Sequence, residues 1–163
     1  VNRTFGRLQI ISSAWFALTH GANDGQKTMG IIVLILFSAD LISEIHMPLW
    51  VIIAAAAAMG LGTFFGGYKV IKTLGVKVTR LKPYQGFAAE TGGGLMLAVF
   101  AILGIPASTT HAITGTIMGA GAARRKRAVR WKVSRQIIFS WLITIPGAAG
   151  LGIAFTFIIH LFV

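Results

Sequence analysis

The chain has no cysteine in 163 residues. That excludes a disulfide framework, a thiolate metal centre and a cysteine nucleophile. Acidic residues are nearly as scarce: Asp24, Asp40, Glu44 and Glu90 stand against 15 Lys and Arg. Charged residues of both signs reach 12%, about half of the ~25% usual in a soluble domain. No nucleophile–base pairing or metal-ligand cluster of convincing spacing can be read, so an enzyme is not expected. The chain begins with Val and shows no signal-peptide pattern, and it is expected to be part of a longer protein.

Apolar residues fill the space that charge leaves. They make up 55% of the chain, with a mean hydropathy of +0.78, as in an integral membrane protein. The net charge of +11 would otherwise suit nucleic acid, but its distribution argues against that partner. Lys69, Lys72, Lys77, Arg80 and Lys82 fall in one segment, 69–82. Arg124, Arg125, Lys126, Arg127, Arg130, Lys132 and Arg135 fall in another, 124–135. Arg3 and Arg7 open the chain, and only Lys27 lies elsewhere. Basic clusters between apolar spans are what the positive-inside rule produces; contact with lipid head groups is a secondary role for them.

Five apolar segments follow. Leu8–Phe37 would extend about 45 Å as one helix, beyond a ~30 Å hydrocarbon core. It also holds a polar cluster, His20-Gly-Ala-Asn-Asp-Gly-Gln-Lys-Thr-Met-Gly30. A broken helix, or two half-helices meeting at that cluster, is therefore expected. A short loop, 38–47, carries Asp40, Glu44 and His46 without Lys or Arg. Pro48–Tyr68 is a span, its proline suited to a first turn and its alanines and glycines to close helix packing. Pro83–Gly104 and Ala107–Ala123 form a pair joined at Gly104-Ile-Pro106, with a second arm of only about 25 Å. A re-entrant helical hairpin is favoured over two crossings. The last span, Gln136–Val163, is expected to kink at Pro146-Gly147. The basic loops 69–82 and 124–135 should face the cytoplasm, with the acidic loop outside.

Three places carry chemistry. Asn23 and Asp24 put an amide and a carboxylate inside an apolar stretch, where a carboxylate costs several kcal/mol unless paired or hydrated. Oxygen ligands of this kind suit a hard cation, yet Lys27, three residues on, could pair with Asp24 instead. At the hairpin turn, Ser108, Thr109 and Thr110 would sit at a helix start, where free N–H groups and hydroxyls suit an oxyanion or simply cap the helix. Glu90 is the lone acid of the third segment, either a cation or proton carrier or a side chain reaching the interface. His20 and His111 are ligands or hydrogen-bonded packing residues.

HGANDGQKTMG at 20–30 and GIPASTTHAITGTIMGAG at 104–121 resemble the inorganic phosphate transporter family, the cation-coupled phosphate permeases, in the form of their C-terminal half. The resemblance covers nearly the whole chain. It implies an all-α, polytopic membrane protein in which residues 1–163 form a single transmembrane domain, one half of an inverted-repeat transporter. It implies alternating-access symport of phosphate with Na⁺ or H⁺, no cofactor, and a second, N-terminal repeat, covalent or separate. A location in the cytoplasmic membrane follows, and the family admits a homodimer. Carried over by position, Asn23, Asp24, Ser108, Thr109 and Thr110 bind phosphate, while Asn23, Asp24 and Glu90 hold the cation, Na⁺ where a metal is used. A sulfate permease of the same architecture, and a partner half without autonomous transport, are the alternatives.

Overall fold

The computed structural model describes residues 2–162, with the side chains of 3–68 and 70–161. Val163 of the expected last span and the Lys69 side chain of the expected basic loop lie outside the described residues. Among the described residues there are five α-helices: α1 (Asn2–Ser38), α2 (Leu49–Lys72), α3 (Pro83–Ile102), α4 (Thr109–Arg124) and α5 (Trp131–Phe162). Among the described residues there is no strand. By length and composition α2, α3 and α5 are apolar enough to cross a membrane, and the molecule is a multi-pass membrane protein.

The first correction is to α1. It runs without interruption through the polar cluster for 37 residues, so the expected break is not there. Glycines permit a break but do not force one. The helix keeps its ladder because Asp24, the one carboxylate of the cluster, finds side-chain partners in His20, Lys27 and Thr109 without unwinding the backbone. The second correction is to the basic loops. Helix α2 continues to Lys72 and a π-helical turn, Thr73–Val78, follows it. Helix α4 reaches Arg124, and α5 begins at Trp131 rather than at the expected Gln136. Helix-forming Lys and Arg extend the helices past the apolar spans. Helix α5 also runs on through Pro146.

Helices α1 and α3 run parallel, as their contacts advance together. Phe5 meets Phe87 edge to face at 5.7 Å, Ser12 donates to Glu90, and Phe16 lies against Gly93. Small residues let the helices approach. A methyl group at Gly94 would fall 2.5 Å from Trp15 Nε1, whereas one at Gly92 would meet nothing within 4 Å. Gly94→Ala should therefore destabilise the fold by about 1–3 kcal/mol through overpacking. Gly92→Ala should be neutral or stabilise by up to ~1 kcal/mol, the helix propensity gained over glycine. Thermal unfolding of the two purified variants checks the contrast.

The third helix ends in a Schellman motif: Ile105 N–H donates to Phe100 at 2.9 Å and Gly104 N–H to Ala101 at 3.2 Å. Gly104 supplies the left-handed residue, φ +68°, that this motif requires. Pro106 then prevents the helix from resuming, and Ser108 caps α4, accepting from the His111 N–H at 3.3 Å. Helix α4 returns antiparallel to α3, with Gln85 Nε2 donating to the Ala120 carbonyl at 3.0 Å. At the base of this hairpin Leu74, Val78, Ala89, Ile117 and Val129 form a small buried core. There the Arg130 N–H donates to the Val78 carbonyl at 2.8 Å, so both basic segments share one end of the molecule.

The hairpin tip stops part-way along its neighbours. Lys27 and Asp24 on α1 touch Ala107 and Thr109, and α1 runs on from Asp24 to Ser38, about 21 Å at 1.5 Å per residue. His111 rests on Trp141 of α5, with ring centroids 3.9 Å apart. Beyond Trp141, residues 142–161 of α5 are all exposed. Helix α2 crosses α1 in the same region, where the Met59 methyl lies 4.0 Å from the Cβ position of Gly25. Met59 falls at the middle of the apolar span Leu49–Tyr68, so Asp24 and the hairpin tip are level with the middle of that span.

Candidate functional site

Spacing on α1 builds the first half of the site. His20, Asp24 and Lys27 stand four and three residues apart, which brings them to one helix face. Lys27 Nζ donates to Asp24 Oδ1 at 2.9 Å, and His20 Nε2 lies 3.0 Å from Asp24 Oδ2. Among the described residues both ion pairs end on Asp24. The hairpin supplies the second half. Thr109 Oγ1 donates to Asp24 Oδ2 at 2.9 Å, and the Lys27 ammonium also donates to the Ala107 carbonyl. Each carboxylate oxygen thus has a partner, and the helix-capping segment 107–109 is fastened to α1 by two bonds.

Asn23 faces a cleft of about 230 Å³ lined also by Gln26, Lys27, Ala101, Gly104, Ile105 and Pro106. That is several times the ~30 Å³ a water occupies in the liquid, enough for a small tetrahedral ion. Asn23 is 3% exposed, and its Nδ2 has no hydrogen-bond partner. A buried amide without a partner carries a desolvation cost of about 1–3 kcal/mol.

Of the residues expected to act together, Asp24 and Thr109 are joined by a hydrogen bond and Asn23 lines the adjoining cleft, whereas among the described residues no contact brings Ser108 or Thr110 to Asn23 or Asp24. Their roles differ in detail. The Ser108 hydroxyl is engaged as a cap, the Thr109 hydroxyl by Asp24, and Thr110 is exposed. The His111 N–H is taken by the cap, and the Thr109 and Thr110 N–H groups remain as donors at this helix start. Glu90 does not join them. It pairs with Ser12, twelve residues before Asp24 on the same helix, or about 18 Å along it. His111 stacks on Trp141, in the packing role left open for it.

Residues outside the expected ligand set also line the site. His20 and Lys27 hold Asp24, and their i, i+4 and i, i+3 spacing from it was a visible signal. Gln26, Ala101 and Ile105 line the cleft; only the packing of the α3 end on α1 brings them there, and no local pattern announces it.

Residues 1–152 match the Phosphate transporter family. The chain belongs to that family. Relatives from Rhizobium meliloti, Bacillus subtilis and Mycobacterium tuberculosis each bear the name "Probable low-affinity inorganic phosphate transporter". They are 53% identical over 91% of this chain, 40% over 98% and 43% over 95%, respectively. The aligned region makes up 45%, 48% and 37% of those relatives, so the chain spans less than half of their length. None of these three names mentions sulfate, and the sulfate alternative gains no support. No solved structure matches the chain.

Proposed function

We propose that this chain is one half of a phosphate transporter that moves phosphate together with a cation by alternating access, in the cytoplasmic membrane. The observation that carries the reading is the Asn23 amide, buried and unpartnered in a cleft beside the Lys27 ammonium at mid-span height. An oxyanion brings mostly acceptor oxygens, and such a cleft exchanges their hydration for N–H groups. The adjoining α4 start adds its own donors and the positive end of its dipole. Asn23, Lys27 and the segment Ser108, Thr109, Thr110 bind the phosphate, with Asp24 holding Lys27 and Thr109 in place.

The hairpin α3–α4 acts as a re-entrant element. The reach of α1 and α5 well beyond its tip supports this, since both arms then begin and end at the basic end of the molecule. That end faces the cytoplasm by the positive-inside rule. The coupling cation binds at Glu90, where the Ser12 hydroxyl and Thr91 Oγ1, itself buried without a partner, add oxygen donors of the type hard cations prefer. The remaining length of the relatives corresponds to a second repeat. The exposed stretch 142–161 of α5 gives such a repeat, or lipid, an apolar face to cover.

Labelled phosphate uptake into proteoliposomes holding the full-length protein tests this function. A Na⁺ or H⁺ gradient should drive uptake, and a tenfold excess of unlabelled sulfate should leave it unchanged. Equal uptake of sulfate, or indifference to both gradients, would overturn the reading.

A further inference from the structure

Lys27 stands apart from the chain's other cations, which lie at the start of the chain and in the two basic segments. It sits level with the middle of the apolar span of α2, where an ammonium is costly and is kept for function. Tying α1 to the hairpin does not by itself require a charge, because the Thr109 hydroxyl already joins the two. We propose that Lys27 is a resident cation: it fills the position at Asp24 that a metal ion would need, and it presents its remaining N–H to an oxyanion in the cleft. This rests on the phosphate-transport reading and narrows it.

Three observations lead there. The Lys27 ammonium lies where Asp24 Oδ1 and the Ala107 carbonyl converge. Those are the oxygen ligands a small hard cation would draw on, while Asp24 Oδ2 is already engaged by His20 and Thr109. A metal ion could use Oδ1 and the carbonyl only by displacing Lys27. Second, an ammonium has three N–H donors. Asp24 and Ala107 take two, and Lys27 itself lines the cleft. Third, the polar side chains lining the cleft are Asn23, Gln26 and Lys27, with no carboxylate among them, and the buried Asn23 Nδ2 has no partner. An oxyanion in the cleft meets donors, one of them charged. The positive charge that a metal ion would supply to offset an anion is here that of the Lys27 side chain. A coupling cation therefore binds away from Asp24.

The test uses the full-length protein with Lys27→Gln and Lys27→Arg, read in two ways. Phosphate KM is measured in proteoliposomes as Na⁺ replaces choline at constant ionic strength. Tm is measured in detergent with NaCl and with choline chloride. Lys27→Gln should raise KM at least tenfold in choline. Na⁺ should then lower it at least threefold more than it lowers the wild-type KM, because the vacated place at Asp24 now accepts the ion. Its Tm should rise with NaCl by at least 3 °C more than the wild-type Tm does. Lys27→Arg should keep KM within threefold. The neutral pair Asp24→Asn/Lys27→Gln should keep the raised KM and gain no response to Na⁺. A wild-type KM in Lys27→Gln overturns the proposal. So does an equal loss in Lys27→Gln and Lys27→Arg without a Na⁺ response, which would leave Lys27 a structural tie only. If the wild type moves no phosphate, the transport reading falls; the Tm comparison still judges the resident cation, and equal Na⁺ shifts in wild type and Lys27→Gln overturn it.

Discussion

Asp24→Asn is expected to reduce phosphate uptake by the full-length transporter about a hundredfold. The carboxylate organises four neighbours at once: Lys27 on Oδ1, His20 and Thr109 on Oδ2, and, through Lys27, the Ala107 carbonyl. The amide keeps the shape and one acceptor oxygen but loses the charge. Lys27 is then an ammonium at mid-span height without a counter-ion. Breaking a buried pair by removing one partner costs about 3–5 kcal/mol. The Lys27 and Asp24 side chains are 34% and 31% exposed, so the lower end applies. About 3 kcal/mol corresponds to roughly a hundredfold, since ~1.4 kcal/mol is a factor of ten. Asp24→Glu keeps the charge on a longer arm and should lose less than Asp24→Asn, because Lys27 retains a counter-ion. Labelled-phosphate uptake, normalised to the amount of protein in the membrane, decides it. Uptake within threefold of wild type in Asp24→Asn would remove Asp24 from the site.

Much of this network was legible before any coordinates. The span positions follow from runs of apolar residues bounded by basic clusters. The hairpin turn follows from Gly104, Pro106 and Ser108, three residues with separate and recognisable tasks: a left-handed turn, a helix stop and a cap. The pairing of Asp24 with Lys27 follows from their spacing. What the sequence does not announce are outcomes of competition between local tendencies and tertiary partners. Gly21 and Gly25 beside Asn23 and Asp24 suggest a broken helix, because a lone carboxylate in an apolar stretch needs partners. Here side chains supply those partners, from His20, Lys27 and Thr109, and the backbone of α1 has no reason to open. The basic segments read as loops because charge leaves the membrane. Once outside it, Lys and Arg are good helix formers, and α2 and α5 extend into them. The cleft beside Asn23 depends on the parallel packing of α3 on α1, which brings together residues more than seventy positions apart. No local pattern encodes that register.

The same register separates Glu90 from the anion site, and this gives the second large effect. Glu90→Gln should cut phosphate uptake at least tenfold while leaving equilibrium phosphate binding within threefold of wild type. Glu90 sits on the α1–α3 seam, accepting from the Ser12 hydroxyl, with Ser12 itself 3% exposed. A carboxylate kept at the edge of an apolar span, and hydrogen-bonded across a helix interface, is costly enough to be held for ion traffic by default. The offset of about 18 Å along α1 from Asp24 is too far for Glu90 to touch an anion in the cleft. Removing its charge should therefore act on the proposed coupling cation alone: glutamine retains the oxygen acceptor for Ser12 but gives up the charge that a cation or proton needs. Ser12→Ala, which removes the bond and keeps the carboxylate, should lose less than tenfold, the ~1 kcal/mol of an ordinary intramolecular hydrogen bond. Isothermal titration of phosphate alongside gradient-driven uptake separates the two steps. If Glu90→Gln weakens phosphate binding as much as it weakens uptake, the carboxylate belongs with the anion site after all, and α3 must move against α1 during transport to bring it there.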